Sequence, residues 1–197
     1  MASIVALPGS LRRGSFNAAL LRAAARLAPA GSSIDVHSLQ GVPLYDGDVE
    51  AADGIPPTVV VLKDAVAAAD GLLIATPEYN NSLPGVFKNA IDWMSRPASD
   101  IGRVFGGKPV AVIGASPGGF GTQLGQNAWW PVLRTLGTAP WFEGRLMVAR
   151  AGQVFDADGQ IVDPASKRGC AHSLPASAPM WIRGAHAPPA ESGFCLW

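Results

Sequence analysis

The amino-acid pattern predicts an α/β domain: a doubly wound, five-stranded parallel sheet with strand order 2-1-3-4-5. Three observations carry this reading. Short apolar runs alternate with helix-period segments in a βαβαβαβαβ order, which puts helices on both faces of a parallel sheet. The two most polar loops follow the first and third of those runs, and in this strand order a ligand crevice opens between strands 1 and 3. The 197 residues, 48% hydrophobic with a mean hydropathy of +0.21, suit one domain, or one domain with an appendage, with a sizeable core.

The first strand is Ser3-Ile-Val-Ala-Leu7, a short apolar run that meets Pro8-Gly-Ser-Leu-Arg-Arg-Gly-Ser15. A helix follows over about 15–27, with Ser15 as N-cap and Leu20, Leu21, Ala24 and Leu27 as its apolar stripe. Ile34 to Leu39 alternates and reads as the second strand, and 41–57, rich in Pro, Gly and acids, reads as a surface connection. Val59, Leu62, Val66 and Ala69 mark a second helix. Gly71-Leu-Leu-Ile-Ala75 is the third, buried strand, followed by Thr76-Pro-Glu-Tyr-Asn-Asn-Ser82 and a third helix over about 85–94. Pro109 to Ala115 is the fourth strand, ending in the glycine-rich Ser116-Pro-Gly-Gly-Phe-Gly-Thr122. A fourth helix over about 122–136 contains Pro131, which is expected to kink or divide it. Arg145-Leu-Met-Val148 is a short fifth strand, and Asp156-Ala-Asp-Gly159 a tight turn.

The end of the chain breaks the pattern. Asp163 and Pro164 open a helix as N-cap and first residue. Gly169, Pro175, Pro179 and Gly184 then interrupt it, so an irregular C-terminal tail is expected in place of the last helix. Residues 1–163 are therefore expected to form the domain and 164–197 an irregular tail. Both cysteines, Cys170 and Cys195, fall in that tail. A change of reading frame near Lys167 accounts for this shift in composition, and a genuine irregular extension is the alternative. Resequencing the gene through this stretch decides between them, since an intact frame with the same tail excludes the frame change. No chemistry is assigned to Cys170, His172, His186 or Cys195.

A formal net charge of zero argues against nucleic acid or an anionic membrane as a bulk electrostatic partner. The first apolar run is too short for a signal peptide, and no stretch approaches the roughly 18–20 apolar residues of a membrane span. No metal-ligand spacing is present among the Cys and His residues. A soluble cytoplasmic protein is the expectation.

The chemistry lies in three loops. In the first, Gly9 to Asn17, backbone N–H groups and the dipole of the following helix make an anion site, to which Ser10, Arg12, Ser15 and Asn17 add side-chain donors. The loop matches neither G-x-x-x-x-G-K-[ST] nor G-x-G-x-x-G, so a terminal phosphomonoester fits better than a triphosphate or a dinucleotide pyrophosphate. The blander alternative is an ordinary turn whose serines only cap the helix. The second loop, Pro77 to Ser82, offers backbone amides and the flat face of Tyr79 to a planar ring, or else is a rigid turn with Asn80 and Asn81 in turn positions. Glycines of the third loop, Ser116 to Thr122, permit close approach of backbone to ligand or simply an unusual turn. Together, at three strand ends on one edge of one sheet, they point to a bound mononucleotide.

Gly9-Ser-Leu-Arg-Arg-Gly-Ser-Phe-Asn17 combined with Pro77-Glu-Tyr-Asn-Asn-Ser-Leu-Pro-Gly-Val-Phe-Lys-Asn-Ala-Ile-Asp-Trp93 resembles the NADPH-dependent FMN reductase family, flavodoxin-like proteins that include quinone, chromate and azo-dye reductases. The resemblance spans roughly 1–163. It implies that Ser10, Arg12, Ser15, Phe16 and Asn17 hold the FMN phosphate. It also implies that Pro77, Glu78, Tyr79 and Asn80 line the isoalloxazine, and that Ser116, Pro117, Gly118 and Gly119 flank it. The implied reaction is ping-pong: NADPH or NADH passes hydride to flavin N5 and leaves, and a quinone or other small acceptor then takes its place. The cofactor carries the chemistry, so no protein acid–base dyad is required. Glu78 is read as a carboxylate that structures its loop, with a general acid as the lesser alternative. Arg96 and Arg103 are read as surface charge, with a dinucleotide phosphate as the alternative, and Lys88 with Asp92 as a helix-face pair. Family likeness also implies a homodimer or homotetramer formed through the third helix, with Trp93, Trp129 and Trp130 at the interface or in the core. The rival reading is an FMN-binding electron-transfer flavodoxin, which ordinarily carries a strongly charged docking face that this neutral chain lacks. A receiver domain of the same topology needs acids at the ends of strands 1 and 3, where this chain has Leu7-Pro8 and Thr76-Pro77. A third reading is that the altered tail leaves a poorly folded, inactive product.

Overall fold

The structure, a computed structural model, describes residues 1–174. The strands are β1 (Ala2–Pro8), β2 (Ser32–Val36), β3 (Gly71–Ala75), β4 (Pro109–Ala115), β5 (Ala139–Pro140) and β6 (Leu146–Val148). The helices are α1 (Phe16–Arg26), α2 (Gly47–Asp53), α3 (Pro57–Ala68), α4 (Gly85–Met94), α5 (Ile101–Val104), α6 (Gln123–Thr135), α7 (Ala151–Val154) and α8 (Pro164–His172). All strand pairs are parallel, in the order β2-β1-β3-β4-β5, with β6 also on β4. The predicted 2-1-3-4-5 order holds, with its fifth position shared. β5 pairs with Pro109 and Val110, and β6 with Ile113 to Ala115, so two short pieces replace one strand. The break has a local cause: Pro140 cannot donate to a ladder, and Phe142–Gly144 forms a single 3₁₀ turn beneath the Trp141 ring.

The central strands are buried on both faces, and their alternation sorts side chains into two cores. Val5, Leu7, Leu72, Ile74, Val110 and Val112 meet α3, α4 and α6. Ile4, Ala6, Leu73, Ala75, Ala111 and Ile113 meet α1 and α8. The second face is the smaller in volume, and α1 answers with Ala19, Ala23 and Ala24, so helix and sheet approach closely. Trp93 and Trp129 are fully buried. The Trp129 indole N–H donates to Thr76 Oγ1 (3.0 Å) and that of Trp93 to the Pro43 carbonyl (3.0 Å), so both are core residues. Trp130 is partly buried, against Phe142 and Arg145.

Three differences from the sequence reading have physical reasons. The 41–57 connection contains α2, capped by Asp46 but with no buried residue, so it carries no apolar period to detect. α6 runs unbroken through Pro131, because Leu133 and Trp129 anchor it in the core on either side. The helix opened by Asp163 does not dissolve after Ser166, a correction to the expected irregular tail. Asp163 Oδ2 accepts the Ser166 N–H (2.6 Å), and α8 continues through Gly169 to His172 with Cys170 and Leu174 buried against the sheet. Burial outweighs the roughly 1 kcal/mol cost of one helical glycine. The expectations for Pro175, Pro179, Gly184, His186 and Cys195 lie outside the described residues.

On the first face, buried Lys63 of α3 pairs with Asp100 (2.8 Å) and donates to the Arg96 carbonyl, and Arg103 pairs with both Asp100 (2.6 Å) and Asp64 (2.9 Å). Hydrogen bonds from Arg103 first, then Lys63, hold the Asp100 carboxyl well below the usual carboxylate range. With the folded-state pKa lowered, this stabilisation is complete above the unfolded value, about 4, and is lost as pH falls through the folded value. Asp100→Asn should lower stability at pH 7 by about 1–3 kcal/mol and flatten the loss below about pH 4. Urea melts between about pH 2 and pH 7 check this, and parallel curves for the two proteins would refute it.

Candidate functional site

Parallel topology brings the loops after β1, β3 and β4 to one edge of the sheet, and side-chain contacts then lock them together. The Gly9 N–H donates to the Ala75 carbonyl (2.8 Å), and a Cβ on Gly9 would lie 2.5 Å from Phe87 Cδ1 and 2.9 Å from Pro77 Cδ. Glycine is therefore required where the first loop crosses the start of the second. Asn17 ties the first loop to the end of β4. Its Nδ2 donates to the Ala115 carbonyl (2.9 Å), and the Ala115 N–H donates to its Oδ1 (2.9 Å). Glu78 ties the second loop to α6, accepting the Gly125 N–H at 2.8 Å. This is the loop-structuring role read from sequence.

The first loop fits an anion. Ser15 caps α1 by accepting from Ala18 N–H (3.2 Å), and Arg12 donates to the Gly14 carbonyl (2.9 Å) while its guanidinium sits 5.9 Å from the Phe16 ring centre. The N–H groups of Phe16 and Asn17 have no acceptor among the described residues, so two donors of the first turn of an 11-residue helix remain for a phosphate. Ser10 is half-buried and Arg12 exposed on the same loop. The blander reading is thus half right: Ser15 does cap the helix, and donors are left over.

The second loop is a rigid hairpin. Tyr79 and Ser82 exchange backbone hydrogen bonds (3.2 and 3.0 Å), and Asn80 (φ 51) and Asn81 (φ 60) both take left-handed conformations between them. Asparagine tolerates this pairing, which is that of a type I′ turn. Pro77 is buried beneath it, and the Tyr79 ring is left half in solvent. In the third loop Ser116 Oγ accepts the Gly118 N–H (3.2 Å), while Pro117, Gly118 and Gly119 are exposed at the rim. Gly114 lies so close to Thr122 Oγ1 and the Thr76 carbonyl that no side chain fits there. A flat, heteroatom-rich ring resting on the Tyr79 and Gly119 loops, with its phosphate at α1, matches this set of donors.

The remaining sequence candidates fall elsewhere. Arg103 is consumed by Asp64 and Asp100. The Arg96 guanidinium lies 5.6 Å from the Tyr45 ring centre, and Lys88 pairs with Asp92 (2.6 Å) on α4. Cys170 is buried, and desolvation pushes its thiol up to about 11, so it is protonated and inert at neutral pH. A separate open cleft of about 270 Å³ lies at the carboxyl end of α1, between Arg26 and Lys167. No group of three or more metal-ligating side chains occurs among the described residues. Arg150 and Thr122, both with positive φ at this edge, were not singled out from sequence, because left-handed backbone leaves no mark when the residue is not glycine or asparagine.

Comparison with known proteins agrees with this geometry. Residues 2–153 match the family model described as NADPH-dependent FMN reductase. An NAD(P)H-dependent FMN reductase of Pseudomonas aeruginosa is 42% identical over 180 residues, 91% of this chain and 95% of that protein. A 2-hydroxy-1,4-benzoquinone reductase of a Burkholderia species is 41% identical over 165 residues, 84% of this chain and 88% of that protein. Among solved structures, the flavoenzyme NAD(P)H:acceptor oxidoreductase FerB of Paracoccus denitrificans superposes with a TM-score of 0.78 at 31% identity, covering 93% of this chain and 96% of its own. With loops, fold and relatives in agreement, this chain belongs to the NADPH-dependent FMN reductase family.

Proposed function

We propose that this protein is an FMN-dependent NAD(P)H oxidoreductase that reduces a quinone-like or other small acceptor. The observation that carries the reading is the convergence of the Phe16 and Asn17 N–H groups, the Tyr79 hairpin and the Ser116–Gly119 rim at one sheet edge. Ser10, Arg12, Ser15, Phe16 and Asn17 lie on the phosphate side, and Pro77, Glu78, Tyr79, Asn80, Ser116, Pro117, Gly118 and Gly119 on the ring side. Bound FMN supplies the hydride chemistry. The chain supplies a preset cradle: Glu78 holds the hairpin on α6, and Asn17 holds the phosphate loop on β4. Exposure of Tyr79 and Phe120 at the rim leaves apolar faces where a nicotinamide and an acceptor take turns. All of these residues fall within 1–163, which we propose as the FMN-binding unit.

Purified protein stripped of flavin should take up one FMN per chain, and should then oxidise NADPH or NADH and reduce 1,4-benzoquinone with parallel-line, ping-pong kinetics. Tight FMN binding without nicotinamide turnover would overturn the enzyme reading in favour of an electron carrier. We place the protein in the cytoplasm; no helix among the described residues is long and apolar enough to cross a membrane.

Assembly as a homodimer or homotetramer is part of the proposal. Leu44, Val49 and Val86 are exposed apolar side chains on α4 and the segment latched to it. That segment is held by Asn89, which accepts from Tyr45 N–H (2.8 Å) and donates to the Pro43 carbonyl (2.7 Å). Light scattering should read two or four chains per particle, and the mass of a single chain at micromolar concentration would contradict this.

A further inference from the structure

Among the described residues, four that are not glycine hold a positive φ: Asn80, Asn81, Thr122 and Arg150. All four lie at the edge that carries the three loops, as strained backbone tends to do at functional sites. Three of them have local reasons. The asparagines form the hairpin turn, and Thr122 is buried against Gly114 with its Oγ1 accepting from Gln126 (3.2 Å). Arg150 (φ 50) precedes the short helix α7, which accounts for its backbone but not for its side chain. Its side chain is exposed and makes no hydrogen bond or ion pair among the described residues. The fold uses only its backbone: the N–H donates to the Gly118 carbonyl (2.9 Å) and the carbonyl accepts the Gln153 N–H (2.8 Å). Glycine would make the same bond without the left-handed penalty, so the guanidinium is not explained by folding.

Its position is set by two loops of the crevice. The N–H groups of Arg150 and Ala151 bind the carbonyls of Gly118 and Ser116 (2.9 and 3.0 Å), and the Phe155 ring stacks on Phe16 (5.8 Å, 24°), whose ring also meets Arg12. The segment 150–155 thus bridges the phosphate loop and the Ser116–Gly119 rim. The carboxylates on the elements joined here accept backbone N–H groups: Glu78 from Gly125, and Asp156 from Asp158 and Gln160. Arg150 is thus a cation with no side-chain partner among the described residues, on a segment joined to both the α1 loop and the Ser116–Gly119 rim.

We propose that Arg150 is a phosphate-recognising residue of this crevice, binding a phosphoryl group of a nucleotide seated there. The proposal rests on the reading that FMN and a nicotinamide dinucleotide bind at this edge. Two sources share the chemistry, the FMN phosphate and the 2′-phosphate that distinguishes NADPH from NADH.

The test uses Arg150→Gln, Arg150→Lys and Arg150→Gly in the full chain. Flavin-free protein is titrated with FMN and with riboflavin by fluorescence quenching, and FMN-loaded protein is assayed with NADPH and NADH. If the FMN phosphate is the ligand, Arg150→Gln weakens FMN about tenfold or more while riboflavin is unchanged. If the 2′-phosphate is the ligand, FMN affinity is unchanged and kcat/KM falls about tenfold for NADPH alone. In either case Arg150→Lys retains much of the lost affinity. Arg150→Gly, which keeps the N–H bond, raises Tm by about 2 °C yet loses as much phosphate affinity as Arg150→Gln. Unchanged FMN affinity together with an unchanged NADPH-to-NADH ratio in Arg150→Gln would overturn the proposal. An equal loss for FMN and riboflavin, or a lowered Tm in Arg150→Gly, would assign Arg150 a structural role instead. Failure of the unaltered protein to bind FMN would sink the functional reading itself, a result distinct from all of these.

Discussion

The paired hydrogen bonds between the Asn17 amide and the Ala115 backbone are the constraint on which the site depends. A carboxamide offers one donor and one acceptor side by side, as a peptide unit does, so Asn17 serves as an extra residue of strand pairing beside β4. That fixes the start of α1, and with it the direction of the Phe16 and Asn17 N–H groups, which have no acceptor among the described residues. Both bonds are buried, so losing the side chain would strand two polar backbone groups at about 1–3 kcal/mol each. The resemblance assigns Asn17 to the phosphate. The structure gives its side chain to the framework and leaves its main-chain N–H without an acceptor among the described residues.

Much of this was legible in the sequence, because the signals were of the kinds that sequence carries well. Buried parallel strands announce themselves as Val5–Leu7, Leu72–Ile74 and Val110–Ile113 whatever their neighbours, and βαβ connectivity then leaves few topologies. The three loops were found because turn chemistry is local: Asn80-Asn81, Gly9 and Gly118-Gly119 declare bends by composition. What stayed hidden depends on distance. Nothing near Asn17 says that its partner is Ala115, 98 residues away, and nothing near Gly9 says that Phe87 will press on it. α2 has no buried face and β5 is two residues long, so neither leaves a period to detect.

The crevice is built from conformations the chain pays for elsewhere. Left-handed residues cost of order 1–3 kcal/mol each when they are not glycine; the Tyr79–Ser82 backbone pair, the burial of Thr122 and the Gly118 carbonyl that accepts from Arg150 hold them in place. Such rigidity suits ligand exchange: a cradle that does not reorganise lets one ring leave and another enter without refolding a loop.

The last described helix has a different character. α8 covers its stretch of sheet with few anchors, an Asp163 cap at one end and Cys170 and Leu174 beneath. Its outer residues Lys167, Arg168 and His172 are exposed, and a thiol and one leucine are small demands for a lid over β6. Such an element carries little information: many segments with a capping acid and two well-spaced small or apolar residues would close the sheet equally well. Within the described residues, α8 is therefore where this fold can absorb wholesale replacement of sequence while the edge carrying the three loops, specified atom by atom, cannot.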